Sequence, residues 1–457
     1  MAFDLSGLLA AHGGEGYRLH EQHLNRQVPR VLHAIGFDTV YERGEDCWIT
    51  AEDGGRYLDL LAGFGVYGVG RNHPVVRHAL HQVIDAGLAD LVQMDAPLLP
   101  GLLARELLTR APGMERVFFC NSGTEAVEAA LKFARAATGR PRVAYCDHAY
   151  HGVTVGSLSV NGGEEFRSGF EPLLPDVCVP FGDLEALERE LQQGQLAALV
   201  VEPVQGKGVR VAPPGYLAAA RDLLHRHGAL LICDEVQTGV GRTGTFLTYE
   251  QDDVEPDIVT MAKGLSGGFV PVGATLAKAW IFDRVYSSMD RVFVHASTFA
   301  GNALAMAAGL ATLAVLDEEH LVENADRIGG LLTQRLRDLA EHDDLIADVR
   351  GRGLMVGIEF GAPQALRLRG QWAMLRTVRR GLFTEMVVGA LYHRHRILTQ
   401  VAADHMDVLK LLPPLTLGES EADVFVDALT DVLEQAHRGS GWIWQFGRRL
   451  ARQAVTR

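Results

Sequence analysis

The chain has 457 residues, of which 47% are hydrophobic and 22% charged, and a formal net charge of −14 at pH 7. This length allows a large core and favours two domains, and the acidic balance argues against nucleic acid as a principal partner. No stretch approaches the roughly 20 continuous apolar residues of a membrane-spanning helix. Because five scattered cysteines lack CxxC spacing and the first residues lack a signal-peptide pattern, we expect a cytoplasmic protein without structural disulfides or a metal site.

Residues 1–60 are predicted to be an N-terminal segment with a hairpin that turns at Asp53-Gly54. A loop rich in glycine and aromatic residues follows and leads into the main domain. Phe64 in this loop is a candidate for lining a pocket, although an isolated aromatic residue in a loop more often serves packing alone.

Short apolar runs at 117–120, 143–146, 197–201 and 229–233 each end in polar or glycine residues, and helix-like segments occupy the longer gaps between them. This repetition predicts an α/β fold with a mostly parallel sheet. Ligands of such sheets bind at the carboxyl ends of the strands. We therefore expect the site residues to follow these runs.

A candidate phosphate site lies between the first of these strands and the helix that starts near Glu125. Ser122 and Glu125 have the spacing of a capping box, and Gly123 and Thr124 lie where a helix N-terminus would offer free backbone N–H groups to an anion. The alternative is an ordinary strand-to-helix turn with a good cap.

Two apolar runs end abruptly in charged residues. The run at 229–233 ends in Asp234 and Glu235, and the run at 258–262 ends in Lys263. A carboxylate and an amine at one sheet edge suggest pyridoxal phosphate, whose aldehyde needs a lysine for a Schiff base and whose ring nitrogen needs an acid to stay protonated. Partial desolvation lowers the pKa of such a lysine and makes it a nucleophile. The alternative is an ordinary salt bridge.

Two other motifs in this region carry less weight. Gly239–Gly244 matches the G-x-G-x-x-G dinucleotide pattern, but no helical period follows it. The strand that ends in Asp234-Glu235 is also typical of a nucleotide-binding ATPase, but the chain has no G-x-x-x-x-G-K-[ST] loop. The ATPase remains the alternative from a different functional class.

The C-terminal part of the chain is predicted to form a second domain. A helical period runs from 303 to 316, and a glycine turn followed by an alternating strand occupies 350–360. We predict a large domain at 61–330, a small domain at 331–440 that 1–60 joins, and a basic aromatic tail at 441–457. Such a tail fits contact with a membrane or a carrier protein, and the alternative is packing on its own dimer.

Six motifs together resemble a known family. They are NSGTEAVEAALK, YHG, EPVQG, DEVQTGVGRTG, the lysine of MAKGLSGG, and STFAGN, in this order along the chain. From about Trp48 to Val432 the chain resembles the class III, or omega, aminotransferases of pyridoxal-phosphate fold type I. The resemblance implies a large domain with a mostly parallel seven-stranded sheet flanked by helices, a smaller α+β domain from both termini, and a homodimer with shared active sites.

The resemblance also implies a role for each matching residue. Lys263 would bond to the cofactor and move protons, and Asp234 would pair with the ring nitrogen. The other cofactor contacts are implied at Ser122, Gly123, Thr124, Tyr150, His151, Glu202, Val236 and Gln237. Thr298 would reach the phosphate bound by the partner subunit.

Two residues depart from the family pattern. Lys207 replaces a glutamate in EPVQGK, and Lys410 replaces the arginine that clamps an α-carboxylate. Lysine is a point charge rather than a planar fork of donors, and two ammonium groups would stand where an ion pair is expected. Either Arg394 or Arg396 holds the carboxylate instead, or one substrate has no α-carboxylate.

The second interpretation leads to the predicted function. We expect a ping-pong aminotransferase that moves an amino group between a primary amine and an oxo-acid or aldehyde. The amine would be an ω-amine or diamine, including long-chain ones, since His295–Phe360 resembles putrescine-type diamine aminotransferases. The alternatives are an ornithine or acetylornithine aminotransferase, and an aminomutase, racemase or decarboxylase on the same fold.

Overall fold

The fold is described from a computed structural model. The structure describes residues 3–92, 94–403, 405–439, 441 and 443–447. None of the helices in these ranges is both long and apolar enough to cross a membrane.

Helices occupy most of the connections between strands and both ends of the described chain. In chain order they are α1 (Leu5–Ala11), α2 (Gly16–His23), α3 (Gln27–Ile35), α4 (Ala62–Gly65), α5 (Pro74–Ala86), α6 (Leu98–Arg110), α7 (Gly123–Thr138), α8 (Val155–Ser159), α9 (Glu164–Arg167), α10 (Leu184–Leu191), α11 (Tyr216–Arg226), α12 (Ala279–Val285), α13 (Ala303–Glu318), α14 (Leu321–His342), α15 (Leu366–Val378), α16 (Leu382–His395) and α17 (Glu419–His437).

The strands are short. They are β1 (Tyr41–Glu45), β2 (Trp48–Ala51), β3 (Arg56–Asp59), β4 (Arg116–Cys120), β5 (Arg142–Cys146), β6 (Val177–Val179), β7 (Leu196–Val201), β8 (Val204–Gln205), β9 (Arg210–Val211), β10 (Leu230–Asp234), β11 (Ile258–Met261), β12 (Gly273–Ala277), β13 (Ile346–Arg352), β14 (Met355–Phe360), β15 (Ile397–Leu398), β16 (Gln400–Val401) and β17 (Val408–Leu411).

The largest sheet has seven strands in the order β4-β12-β11-β10-β7-β5-β6. β10 lies parallel to β7 and β11, and β5 lies parallel to β6 and β7. Only β12 runs against both of its neighbours. Because β7, β10 and β11 are buried along their whole length, they can be nearly continuous apolar runs. The predicted α/β class and the predicted strands are confirmed.

Two four-stranded sheets lie outside this one. The hairpin of β2 and β3 confirms the predicted turn, with Gly54 at φ 78°, and β15 adds to β3 in parallel. The other sheet has the order β13-β14-β17-β16. There the prediction was wrong in one detail: Arg350 lies within β13 and not in a turn, since the tight turn comes at Gly353 with φ 50°. The domain limits stay a prediction.

The described part of the predicted tail packs on its own chain. Ile443, Trp444 and Phe446 are buried, and the Trp444 indole N–H donates to the Ala436 carbonyl at 3.0 Å. A Cβ at Gly389 of α16 would lie 2.2 Å from the Phe446 ring, which shows how closely the two segments approach. Trp442 and the basic residues 448–457 lie outside the described residues, so contact of the tail with a membrane or carrier protein stays a prediction.

The burial of the tail predicts a measurable contribution to stability. Phe446→Ala removes a ring that is 5% exposed and should lower the free energy of unfolding by about 3 kcal/mol. Phe170→Ala, at a ring that is 67% exposed, is the matched control and should change it little. Urea unfolding followed by tryptophan fluorescence measures both, and equal effects of the two substitutions would contradict the packing of the tail on its own chain.

Candidate active site

A cavity of about 920 Å³ lies at the carboxyl edge of the seven-stranded sheet. We call it the inner cavity. Its walls come from the segments that follow β4, β5, β7, β10 and β11, and from β16, β17 and the loop between them. The structure therefore brings together the ends of all five strands that the sequence singled out.

Asp234 is the last residue of β10 and lines this cavity with 3% exposure. One carboxylate oxygen, Oδ2, lies 2.6 Å from Nδ1 of His151. The other, Oδ1, accepts from the Val236 backbone N–H and the Thr260 hydroxyl, both at 3.0 Å. Burial alone would raise the pKa of Asp234, but the hydrogen bond and charge of His151 outweigh it and leave the pKa lowered. Asp234 is thus held as a carboxylate in a fixed orientation.

His151 completes this buried pair. Burial lowers the pKa of an isolated imidazole, but the contact with Asp234 outweighs burial and raises the pKa of His151. Its Nε2 is buried without a hydrogen-bond partner among the described residues. Burying two charged side chains costs more free energy than burying neutral ones. A buried charged pair in a cavity wall is therefore typical of a functional site.

Lys263 lines the same cavity, and one alanine separates it from the end of β11. Its φ of 44° lies in the left-handed region, which a residue with a side chain adopts at a cost. Burial lowers the pKa of Lys263, and the charges of Asp234 and Glu202 only partly oppose this. Its Nζ has no hydrogen bond or ion pair within the part of the chain that the structure describes.

The start of α7 lines another wall of the cavity and offers a candidate anion site. Ser122 accepts from the Glu125 N–H at 3.3 Å, and the Glu125 carboxylate accepts from the Asn121 N–H at 2.6 Å. The predicted cap is present, although the return bond reaches Asn121 and not Ser122. A Cβ at Gly123 would lie 2.8 Å from Cγ1 of Val236, so only glycine permits this approach. The N–H groups of Gly123 and Thr124 have no acceptor among the described residues.

Several further predicted residues line the inner cavity and contact one another. Glu202 accepts from the Tyr150 N–H at 3.0 Å and from the Gly206 N–H at 2.9 Å, and burial raises its pKa. Gln237 donates to the Phe64 carbonyl at 3.1 Å. Glu202 therefore fixes the backbone that carries Tyr150, and Gln237 fixes the loop that carries Phe64.

The two unusual lysines are both in the inner cavity, but they are held differently. Lys207 lies 2.6 Å from the Glu165 carboxylate and 4.2 Å from the Phe166 ring centre. Lys410 is 5% exposed and donates to the Gly206 carbonyl at 2.8 Å. Burial, and then the charge of Lys263, lower the pKa of Lys410 to about 7. The expected clash of two unpaired ammonium groups is thus avoided, because Lys207 pairs with Glu165.

The structure places three further residues that the sequence analysis named. Neither Arg394 nor Arg396 lines the inner cavity: Arg394 contacts Gln435 and lies 3.8 Å from Asp431, and Arg396 lies 4.0 Å from Asp53. The described structure therefore gives no support to the alternative in which one of them holds the carboxylate in this cavity. Thr298 is exposed and does not line the cavity of its own chain, so its role across a dimer stays a prediction.

Sequence reasoning missed Glu165 and Phe166 in the cavity wall, and the pairing of His151 with Asp234. Glu165 and Phe166 belong to α9, a four-residue helix in a stretch without a periodic pattern. His151 and Asp234 are 83 residues apart, and only the adjacency of their strand ends brings them together. The order of strands in the sheet would have been needed to find this pair.

The donor set fits pyridoxal phosphate. Lys263 offers an unpaired amine to the aldehyde, Asp234 a fixed carboxylate to the ring nitrogen, and the start of α7 free N–H groups to the phosphate. Tyr150 and Val236 line the same cavity. The side chains that would hold the cofactor thus occupy one cavity.

The sequence profile of the class III aminotransferases matches residues 33–433. The chain belongs to this family. It is 40% identical over 401 residues to an acetylornithine aminotransferase of Methanopyrus kandleri, which covers 87% of the chain and 95% of that relative. It is 38% identical over 450 residues to aminotransferase PigE of Serratia sp., covering 91% of the chain and 53% of PigE. The chain thus spans about half the length of PigE.

Among solved structures, an amine transaminase from an uncultivated Pseudomonas species, in a form with bound pyridoxal phosphate, superposes with a TM-score of 0.75. It is 32% identical and covers 87% of the chain and 95% of that structure. The predicted class III membership, fold type I architecture and pyridoxal phosphate cofactor are confirmed by these comparisons.

For this class III aminotransferase, the buried pair predicts that Asp234→Asn lowers turnover by about a hundredfold to a thousandfold, since a preorganised charge at the reacting group is lost. Glu235→Gln is the matched control, because the neighbouring carboxylate points away and accepts from the Thr238 hydroxyl and the Tyr249 N–H. Steady-state rates of the two variants measure the difference. Equal losses would contradict the role of Asp234.

Proposed function

We propose that this chain transfers an amino group from a primary amine without an α-carboxylate to an oxo-acid or aldehyde. An ω-amine or a diamine, including long-chain ones, is the donor class. The observation that carries the proposal is that no arginine lines the inner cavity among the described residues. Its cationic residues besides His151 are Lys207, Lys263 and Lys410.

The environment of the lysines supports this donor class. Lys207 is paired with Glu165, and Lys410 is held by the Gly206 carbonyl, so neither presents a planar pair of donors to a carboxylate. Phe64, Phe166 and Val270 add apolar surface to the walls. A hydrocarbon chain therefore meets more favourable contacts in this cavity than a charged amino-acid head does.

The bound cofactor supplies an electron sink for the substrate carbon that carries the amino group. The residues of the chain would hold the cofactor and orient it. Asp234, kept ionised by His151, would hold the proton on the ring nitrogen. Lys263, whose pKa burial lowers, has the amine that holds the cofactor and can accept or return a proton at Nζ. The N–H groups of Gly123 and Thr124 would anchor the phosphate.

The proposal includes a twofold dimer with a shared site. Thr298 of the partner subunit would reach the phosphate. Within one chain, Asn121 donates from Nδ2 to the Ser297 hydroxyl at 2.7 Å, so a twofold axis near this loop would bring Thr298 of the partner subunit toward the start of α7. Thr298 itself is exposed and thus accessible to a second copy.

A second donor class is favoured by one observation. The 40% identity with an acetylornithine aminotransferase is accompanied by nearly complete coverage of that relative. An α-amino acid donor would need its carboxylate held by Lys410.

An aminomutase or decarboxylase would not need an added acceptor, so dependence of turnover on an oxo-acid separates these reactions from transfer.

A donor panel tests the proposal. Alkylamines and diamines should convert the cofactor faster than glutamate, ornithine and N-acetylornithine in single-turnover absorbance measurements. Lys410→Arg should improve α-amino acid donors by about tenfold, because guanidinium offers a paired contact, with Lys410→Met as the control that lacks the charge. A wide preference of the unmodified enzyme for ornithine, N-acetylornithine or glutamate would contradict the proposal.

A further inference from the structure

A second cavity, of about 680 Å³, adjoins the inner cavity. We call it the outer cavity. The two share Glu165, Lys207 and Ala403 in their walls. The ion pair of Lys207 and Glu165, 2.6 Å long, therefore stands at the boundary between them. A molecule that extends from Lys263 past this pair would enter the outer cavity.

The outer cavity has one more basic side chain, lysine or arginine, than acidic ones in its lining, on a protein that is acidic overall. Its lysine and arginine residues are Lys207, Arg210, Arg350, Arg376 and Arg380. Its carboxylates are Glu164, Glu165, Glu359 and Asp407. Three of these acids are taken up by cations within the wall, because Glu165 pairs with Lys207, Glu359 with Arg350, and Asp407 lies 3.7 Å from Arg376.

Two guanidinium groups remain. The side chains of Arg210 and Arg380 have no hydrogen bond or ion pair among the residues that the structure describes. Among the acids that line the cavity, Glu164 is the one whose side chain also has neither. Arg210 acts on the cavity electrostatically: after burial, its charge is the largest cause that lowers the pKa of His148, another wall residue. Two arginines from different elements, β9 and the segment after α15, thus line one space without a direct ion pair, although the charge of Arg380 also acts on the Asp407 carboxylate.

An unsatisfied donor lies in the same wall. Trp372 of α15 is 4% exposed, and its indole N–H is buried without an acceptor among the described residues. Buried N–H groups without partners are uncommon in folded proteins, and each one calls for an explanation such as a missing ligand. An anion in the outer cavity would give a partner to the two guanidinium groups.

We propose that the outer cavity binds an anionic group, a carboxylate or a phosphate, at the far end of an elongated amine or oxo substrate. This inference rests on the proposed function, because the reacting end must reach Lys263 in the inner cavity. The apolar walls contributed by Phe64 and Phe166 would contact the hydrocarbon chain between the two ends. Arg210 and Arg380 are then specificity-determining residues, because they select what the distal end of the substrate carries.

The test compares three donor series of increasing and matched chain length: n-alkylamines, ω-amino carboxylic acids and ω-aminoalkyl phosphates, with pyruvate as acceptor. Above a threshold length, at least one anionic series should exceed the alkylamines in kcat/KM. The series with the larger gain tells carboxylate from phosphate.

Substitution of the two arginines tests whether they cause the preference for anionic donors. Arg210→Ala combined with Arg380→Ala should lower kcat/KM for the anionic donors by about tenfold and leave the alkylamines unchanged. Arg369→Ala is the matched control, since Arg369 lies on α15 and is exposed but does not line the outer cavity. A double variant that uses anionic donors as well as the unmodified enzyme does would overturn the inference.

A binding measurement separates this inference from the proposed function. Alkyl carboxylates and alkyl phosphates without an amine are titrated calorimetrically into the holoenzyme and the double variant. If no amine serves as a donor, the proposed function fails, and the titration still decides: about tenfold weaker binding by the double variant supports the anion site, and equal binding overturns it.

Discussion

The buried contact between His151 and Asp234 is the interaction on which the site depends. At 2.6 Å, and with both side chains almost wholly inaccessible, each group keeps the other charged against the cost of burial. Thr260 and the Val236 N–H fix the remaining carboxylate oxygen. The pair exists only because β5 and β10 end at the same edge of the sheet with β7 between them. The fold thus supplies a fixed negative charge opposite an amine whose own pKa is lowered.

Two lysines, Lys207 and Lys410, distinguish this site from the family pattern. Lys207 stands where the family pattern has a glutamate, and it forms an ion pair with Glu165. This pair lies between the inner cavity and the outer one. Lys410 is buried beside the Gly206 carbonyl and is drawn toward the neutral form. Because no arginine lines the described wall of the inner cavity, the proposed donor is recognised through apolar contacts and not through an α-carboxylate. These two lysines thus underlie the proposed donor class, whereas the proposed distal anion site depends on Arg210 and Arg380 of the outer cavity.

Much of this arrangement was predictable from the sequence, and the remainder has a physical reason. The runs 117–120, 143–146, 197–201 and 229–233 are uninterrupted and apolar, so the strands and the polar residues that follow them could be predicted directly. The contact of Lys207 with Glu165 could not, because it depends on where a short helix without periodicity folds back. The position of Arg394 and Arg396 outside the inner cavity could not be predicted either, because charge alone does not tell on which side of α16 and β15 an arginine lies.

Three lysines line one cavity, and Lys263 is the one that we expect to bond to the cofactor opposite Asp234. Borohydride reduction of the holoenzyme, followed by peptide mapping by mass spectrometry, tests this directly, because reduction fixes the cofactor to the lysine that holds it. We expect the pyridoxyl mass on Lys263 alone. Modification of Lys207 or Lys410 in its place would contradict the assignment.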